Sequence, residues 1–498
     1  MKKLLISALI AGLPGVAMAD AKGDEIAKLK AQLEALQAQM QQLQQAVNAA
    51  TAAKAPEADD NTELKQRVAG MEMKVDKLTT DASEGPIAGL SITGYLDPTY
   101  LASRVGKSSG FQFVNHSNQY AYTNSTFGDV YLDIKKTFGV GPMAPSAEIS
   151  IMPNRGSGNN LLTSGGNSSA GNNIINTAII NFPLSDTTQL VGGLMNSFGG
   201  YEVQQSNQMN TITHGLLYDF SDPGSYVGAG FNWSHGSWAT KFMIANEQFH
   251  TNPNSASDAN SNTHSNSTPT VTGRVDYTMT SNLDIGGSMN VGRQSLYAHT
   301  NSTTGNADGT YGYQGTSSSA YSAYYFGELD MTLTGTDSVY NAELDYGRQK
   351  QAAWNGGDAV WWGFSLLAHQ KWNSDWFGRM GATLRYDYLN DSKNGGGGGG
   401  IALSSGTTNG GTNYGGVDGT NGFGISQACF NSSTTNGTDC SGATRQALTA
   451  ALLFYPTDQL TLKMEIRHDW ANRDVFLRSD GNYRKSNDIF AAQAVYSF

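Results

Sequence analysis

The sequence is poor in cysteine, in charge and in long apolar runs. Only two cysteines occur in 498 residues, and charged side chains make up 15% of the chain. Beyond the extreme N-terminus no run of 18 apolar residues appears, which excludes a spanning helix. The 8 histidines are scattered without ligand spacing and C-x-x-C-H is absent, so no metal site, haem or other cofactor is expected. The net charge of −11 argues against nucleic acid as a partner. No serine, histidine and acid stand in a nucleophile arrangement, so no enzymatic activity is expected. His468 beside Asp469 comes nearest, but strand alternation sends them to opposite faces.

What is present begins with a processing signal. Lys2 and Lys3 precede a mostly apolar segment over 4–16, and Ala17-Met18-Ala19 is a small-residue cleavage site. This predicts a signal peptide over 1–19, an exported protein and a mature start at Asp20. In an oxidising compartment Cys429 and Cys440, in one Gly/Ser/Asn-rich stretch, are expected to form a local disulfide closing one loop.

Residues 20–84 are expected to be helical. Ile26, Leu33, Met40 and Val47 fall at heptad position a, with Leu29, Leu36 and Leu43 at d, which favours a coiled coil over a single amphipathic helix. Pro56 breaks the helix. Leu64, Val68, Met71, Val75 and Leu78 resume the series in phase, and Gly85-Pro86 ends it.

From about residue 88 the period becomes 2. Lys463, Glu465, Arg467 and Asp469 alternate with Leu462, Met464, Ile466 and Trp470. Short turns near 139–142, 184–187, 234–236, 280–281, 335–337, 373–374 and 456–458 interleave with long polar stretches near 104–125, 154–171, 199–224, 249–267, 294–318, 350–357, 390–442 and 471–484. The interleaving predicts an all-β transmembrane barrel of about 16 antiparallel strands over 88–498, with both termini on the short-turn side. The strand-like residues 211–220 are placed in the third long loop, inside the lumen, because a further spanning strand breaks this parity. Trp361, Trp362, Trp372, Trp376 and Phe377 are assigned to an aromatic girdle around the sixth short turn.

Strand phase assigns a set of lumen charges. The acids are Asp129, Asp133, Glu148, Asp276, Asp284, Glu328, Asp330, Glu343, Asp345, Asp387, Glu465 and Asp469. The bases are Lys135, Arg274, Arg379, Arg385, Lys463 and Arg467. The acids outnumber the bases, which predicts mild cation preference. The alternative is that Arg385 with Asp387, or Arg467 with Glu465 and Asp469, pair across the wall.

Several short motifs carry a resemblance: Gly94-Tyr95-Leu96-Asp97, Gly200-Tyr201-Glu202-Val203, Tyr226-Val227-Gly228-Ala229-Gly230 and the terminal Tyr496-Ser497-Phe498. On these, residues 90–498 resemble Gram-negative porins, and more narrowly the β-barrel porin group that includes OmpL-like proteins. The N-terminal heptads resemble those of phosphate-selective porins, but the third loop, residues 197–224, has no Lys or Arg for a basic ladder. The resemblance implies an outer-membrane channel for small hydrophilic solutes, in contact with lipid and lipopolysaccharide. It implies recognition of Phe498 by the barrel-assembly machinery and a homotrimer joined through residues 24–80. It also implies that the third loop narrows the pore with Tyr201, Glu202, Gln204, Gln205, Asn207, Gln208, Asn210 and His214. Two other readings are open: a transporter specific for a siderophore or small organic acid, and a structural or adhesive barrel tethered through its coiled coil. The long stretch 390–442 closes the pore, binds a specific solute or presents a variable surface.

Overall fold

A computed structural model describes residues 88–113, 127–152, 175–246, 268–296, 307–399 and 441–498, with short pieces between them at 255–257, 263–265, 298–300, 401, 408–409, 412–413, 417–418 and 423–425. The signal peptide, the coiled coil and the Cys429–Cys440 pair lie outside the described residues. The chain divides into two compact units, residues 1–90 with 136–140, and residues 91–135 with 141–498. In the first, the described pieces meet where the Thr137 N–H donates to the Gly89 carbonyl at 2.9 Å. The second is the barrel.

Sixteen antiparallel strands close into one wall. Strand β1 has two parts, Leu90–Leu96 and Thr99–Ser103, and β2 likewise, Ser108–Gln112 and Val130–Thr137. Then follow β3 (Ser146–Ile151), β4 (Ile175–Pro183), β5 (Thr188–Asn196), β6 (Ser225–His235), β7 (Trp238–Ala245) and β8 (Thr270–Thr280). The wall continues with β9 (Leu283–Ser295), β10 (Tyr321–Thr334), β11 (Ser338–Gln349), β12 (Ala359–Ser374), β13 (Gly378–Asn390), β14 (Thr444–Phe454), β15 (Leu460–Ala471) and β16 (Ser486–Ser497). The last strand closes on the first, with Thr99 opposite Gln493 and Leu96 opposite Tyr496. Phe498 and Gly94 exchange backbone hydrogen bonds at 2.9 and 3.0 Å, so the C-terminal residue is part of the seam.

All seven expected short turns join strands at one end of this wall. Two details differ from the sequence reading. The first long connection does not cap a hairpin. β1 turns into β2 through 104–107, and residues 113–129 are inserted partway down β2, opposite the break in β1 at Asp97-Pro98. Proline cannot donate to the ladder, so Pro98 is a natural place for that interruption. Residues 211–220 are not a strand: the Leu216–Phe220 part is a short helix, α1, within the loop between β5 and β6.

The wall is apolar outside and polar inside. On β15, Ile466 is 63% exposed while its neighbour Arg467 is fully buried. Leu462 and Met464 lie outward, and Lys463, Glu465 and Asp469 inward. Leu329, Leu344, Leu366 and Leu384 repeat the outward pattern on four other strands. A continuous outer belt of this kind is stable only where the surround is itself apolar.

The aromatic assignment splits. Trp372, Trp376 and Phe377 do sit exposed at the sixth short turn. Trp361 and Trp362 lie at the opposite end of the sixteen-residue β12, so they cannot join that girdle. Trp361 is wholly buried and turned inward, its indole so close to Gly347 that an added Cβ there would lie 2.0 Å from the ring.

A charge placed on the outer belt tests this arrangement. In lipid vesicles Ile466→Arg is expected to cost about 2–4 kcal/mol, near the bilayer midplane value. Urea unfolding of the refolded protein reads it, and an unchanged midpoint would remove Ile466 from a lipid-facing position.

Candidate functional site

The interior is organised around the loop between β5 and β6, residues 197–224. Outside α1 and a single helical turn at Ser206–Gln208 its backbone leaves regular structure, so its carbonyls and N–H groups need partners from elsewhere. The wall supplies them from residues that alternation turns inward.

Three Arg-x-Asp units recur, on β8, β13 and β15. They are Arg274-Val275-Asp276, Arg385-Tyr386-Asp387 and Arg467-His468-Asp469. In each, the arginine Nε donates to the aspartate two residues on, at 2.7, 3.1 and 3.1 Å. Residues i and i+2 share a face of a strand, so the pair forms along the strand and not across it. With Nε held, Nη1 extends into the loop. Arg274 Nη1 donates to the Phe198 carbonyl at 3.1 Å, Arg385 Nη1 to the Thr213 carbonyl at 2.9 Å, and Arg467 Nη1 to the His214 carbonyl at 2.5 Å.

Lys463 and Glu465 complete the grip. The Lys463 ammonium donates to the carbonyls of Ser206, Met209 and Thr211 at 2.6, 2.8 and 3.0 Å, using all three of its protons. Glu465 accepts from the Ile212 N–H at 2.5 Å and from the Thr213 hydroxyl at 2.6 Å. Asp97, at the break in β1, accepts from the Ser206 hydroxyl at 2.6 Å and from the Gln493 amide at 3.0 Å.

The loop residues expected to face the pore are largely engaged in holding the loop. Glu202 pairs with Arg385 at 2.6 Å and accepts the Gly215 N–H at 2.6 Å. Burial pushes its carboxyl up from the usual range, with the Arg385 charge opposing. Tyr201 bonds Glu343 through its N–H (3.1 Å) and Ser365 through its hydroxyl (2.8 Å). Gln204 accepts from Asn196 at 3.0 Å, and Gln205 is buried beside the Tyr131 hydroxyl. His214 is fully buried, stacked on Tyr218 at 4.1 Å, with Nε2 3.0 Å from the Val203 carbonyl. Burial lowers its basicity, so it stays a neutral ring. Asn207, Gln208 and Asn210 are only part-buried, although the Asn207 Oδ1 is itself buried.

The assigned wall charges divide in the same way. Glu328 and Asp330 pair with Arg274 at 3.3 and 2.6 Å. Asp469 is shared by Arg467 and Arg445, both at 3.1 Å. Asp129 is buried beside Asp97, and its backbone N–H donates to the Asp97 carboxylate. Asp133, Glu148 and Asp284 are part-buried towards the short-turn end. Arg379 departs from its lumen assignment: it has the inward parity, but at the rim its half-exposed side chain pairs with Asp458 of the seventh short turn.

Sequence reasoning missed Asp97, Lys241 and Arg445, all buried inside. It also missed an apolar core at the long-loop end. Phe220 of α1, Phe423, Ile425, Val475, Phe476 and Trp361 pack there, with the Arg445 guanidinium 4.9 to 5.4 Å from three phenylalanine rings. Ile401, Phe423 and Ile425 of the 390–442 stretch thus pack with Leu216, Leu217 and Phe220 of the third loop.

Removing one guanidinium tests the clamp. Arg385→Ala leaves Glu202 and Asp387 as unpaired buried charges, with an expected cost of about 3–5 kcal/mol. Limited proteolysis of the folded barrel is expected to cut between β5 and β6 in the variant and not in the wild type. Equal resistance would show that the loop does not depend on Arg385.

Similarity was found at two levels. No curated protein matches the sequence. Among solved structures, the anion-selective porin from Comamonas acidovorans is 9% identical with a TM-score of 0.49, covering 82% of this chain and 99% of that one. OmpT of Vibrio cholerae, in trimer form, is 8% identical with a TM-score of 0.47 and the same coverage. Salmonella typhi OmpF, in complex with daunomycin, is 7% identical with a TM-score of 0.45, covering 82% of this chain and 97% of that one. At such values no functional property passes from them to this chain. A family model described as a protein of unknown function (DUF3138) matches residues 1–58 and 54–498, and the chain belongs to that family.

Proposed function

We propose that this protein is an outer-membrane channel through which small hydrophilic solutes diffuse, with a mild preference for cations. One observation carries the reading: a closed sixteen-stranded wall, apolar outward and charged inward, holds a polar loop across its own interior. An apolar belt suits lipid, and a polar interior suits hydrated solutes.

The preference for cations rests on the sign of the part-exposed wall charge towards the short-turn end. Arg274, Arg385, Arg445, Arg467 and Lys463 are consumed by carboxylates and loop carbonyls. Asp133, Glu148 and Asp284 are the part-exposed acids of the short-turn half, where Lys135 is the nearby base, 3.8 Å from Glu148. Fixed charge of one sign along a confined path raises the local concentration of counter-ions.

The remaining parts of the proposal concern placement. The wall's short-turn end faces the periplasm, with the heptad segment 24–80 there joining three copies. Phe498, at the seam, is the mark read during assembly, and lipid with lipopolysaccharide surrounds the belt.

Ion selectivity tests the reading. Purified protein in a planar bilayer under a KCl gradient is expected to conduct, with a reversal potential of the sign that marks cation preference. Asp133→Asn with Asp284→Asn is expected to move that potential towards zero. An anion-favouring potential would overturn the charge assignment, and an absence of conductance would overturn the channel.

A further inference from the structure

Between the third loop and the wall lies a pocket of negative charge that the clamp does not use. Asp222 comes from the loop, just after α1. Glu343 and Asp345 come from β11, two residues apart and therefore on one face. One carboxylate oxygen from each lies within 4.8 Å of the other two, and all three residues are buried. We propose that this trio binds one divalent cation, of the Ca2+ class, which ties the end of the third loop to β11.

The oxygens are left unsatisfied by the protein. From outside the cluster, no group donates to either carboxylate oxygen of Asp222, to either of Asp345 or to Oε1 of Glu343 among the described residues. Glu343 Oε2 alone is occupied, by the Tyr201 N–H at 3.1 Å. Among the described residues no Lys or Arg pairs with any of the three, since Arg274 is spent on Asp276, Glu328 and Asp330. Burying even one carboxylate without a counter-charge is costly, and three together are not stable as bare anions.

A second feature points into the same space. Ser221 is fully buried, and its hydroxyl, without a partner elsewhere in the protein, lies beside the Asp345 carboxylate. A neutral oxygen beside three carboxylates adds a fourth hard donor. On the opposite side, Gly200 lies so close that a Cβ would stand 2.8 Å from Asp222 and 3.0 Å from Glu343. Its φ of +72° also favours glycine, so the backbone approaches the carboxylates as no other residue would allow.

The donor chemistry selects the ion. All the donors are oxygen, with no sulfur or imidazole, which favours a hard cation over zinc or copper. Ca2+ takes oxygen ligands at about 2.3–2.6 Å, so two ligands of one ion stand at most about 5 Å apart. The observed spacing meets that limit. Octahedral Mg2+, at about 2.0–2.1 Å, requires a tighter set. The competing occupant is a proton, because burial and then the charge of Asp345 push the Asp222 carboxyl well above its usual range.

The test uses full-length, lipopolysaccharide-free protein in detergent, stripped with EDTA and titrated calorimetrically with CaCl2 near pH 7. One Ca2+ per chain is expected, with a higher unfolding temperature than in EDTA and weaker competition from Mg2+. Asp222→Asn and Asp345→Asn are each expected to weaken that site at least tenfold, while Asp186→Asn, in an exposed turn, leaves it intact. If the variants do not fold, infrared spectra of the stripped wild type decide: protonated-carboxyl bands that Ca2+ abolishes support the site, and bands that persist in excess Ca2+ overturn it. Absence of Ca2+ heat, or a site unchanged in Asp345→Asn, also overturns it. The titration reads binding whether or not the barrel conducts, so it stands or fails apart from the channel proposal.

Discussion

The Lys463 ammonium donates to three successive parts of one loop, at Ser206, Met209 and Thr211. Irregular backbone at the depth of a bilayer persists only when its polar groups are satisfied by protein or water. Here the wall satisfies them, through Lys463 and the three Arg-x-Asp units. The aspartate fixes each guanidinium along its strand, and the guanidinium then reaches the loop. Each of these three arginines therefore serves two ends: it is neutralised by its aspartate and it holds a carbonyl. Without that arrangement the loop has no reason to lie inside the barrel.

The same pairing limits what the charges contribute to a pore. An unpaired ring of acids and bases sets a field along the lumen, whereas a buried ion pair acts mainly as a rigid strut. Most of the inward charges are struts. The part-buried polar residues are Asn207, Gln208 and Asn210 on the loop and a few acids near the short-turn end. At the other end, Phe220, Phe423 and Phe476 with Arg445 form a compact core that brings the third and later loops together. For the proposed channel, passage is expected to be governed by how the loops fill the barrel more than by wall charge.

Much of the wall was legible because period 2 is a strict rule. Once Leu462, Met464 and Ile466 are placed outward, Lys463, Glu465 and Arg467 must face inward. The sixteen strands, and the place of residues 211–220 in a loop, follow instead from the interleaving of short turns with long connections. What alternation cannot show is a partner. It gave Arg385 its face but not Glu202 as its contact, and it gave Arg379 the right parity without showing that the residue stands at the rim. Asp97 escaped notice because Pro98 interrupts the strand there, and Lys241 because it precedes the apolar run Phe242-Met243-Ile244. Trp361 was misplaced because nearness in sequence to Trp372 is distance in space along an extended strand.

The proposed channel depends on the clamped third loop setting the size of solute the barrel admits. Swelling of liposomes in neutral sugars of increasing size tests it most directly, comparing the wild type with a variant in which residues 204–214 are replaced by a short glycine-serine link. The wild type is expected to admit only the smallest sugars, and the shortened variant to admit larger ones. Identical size dependence in the two would contradict the claim.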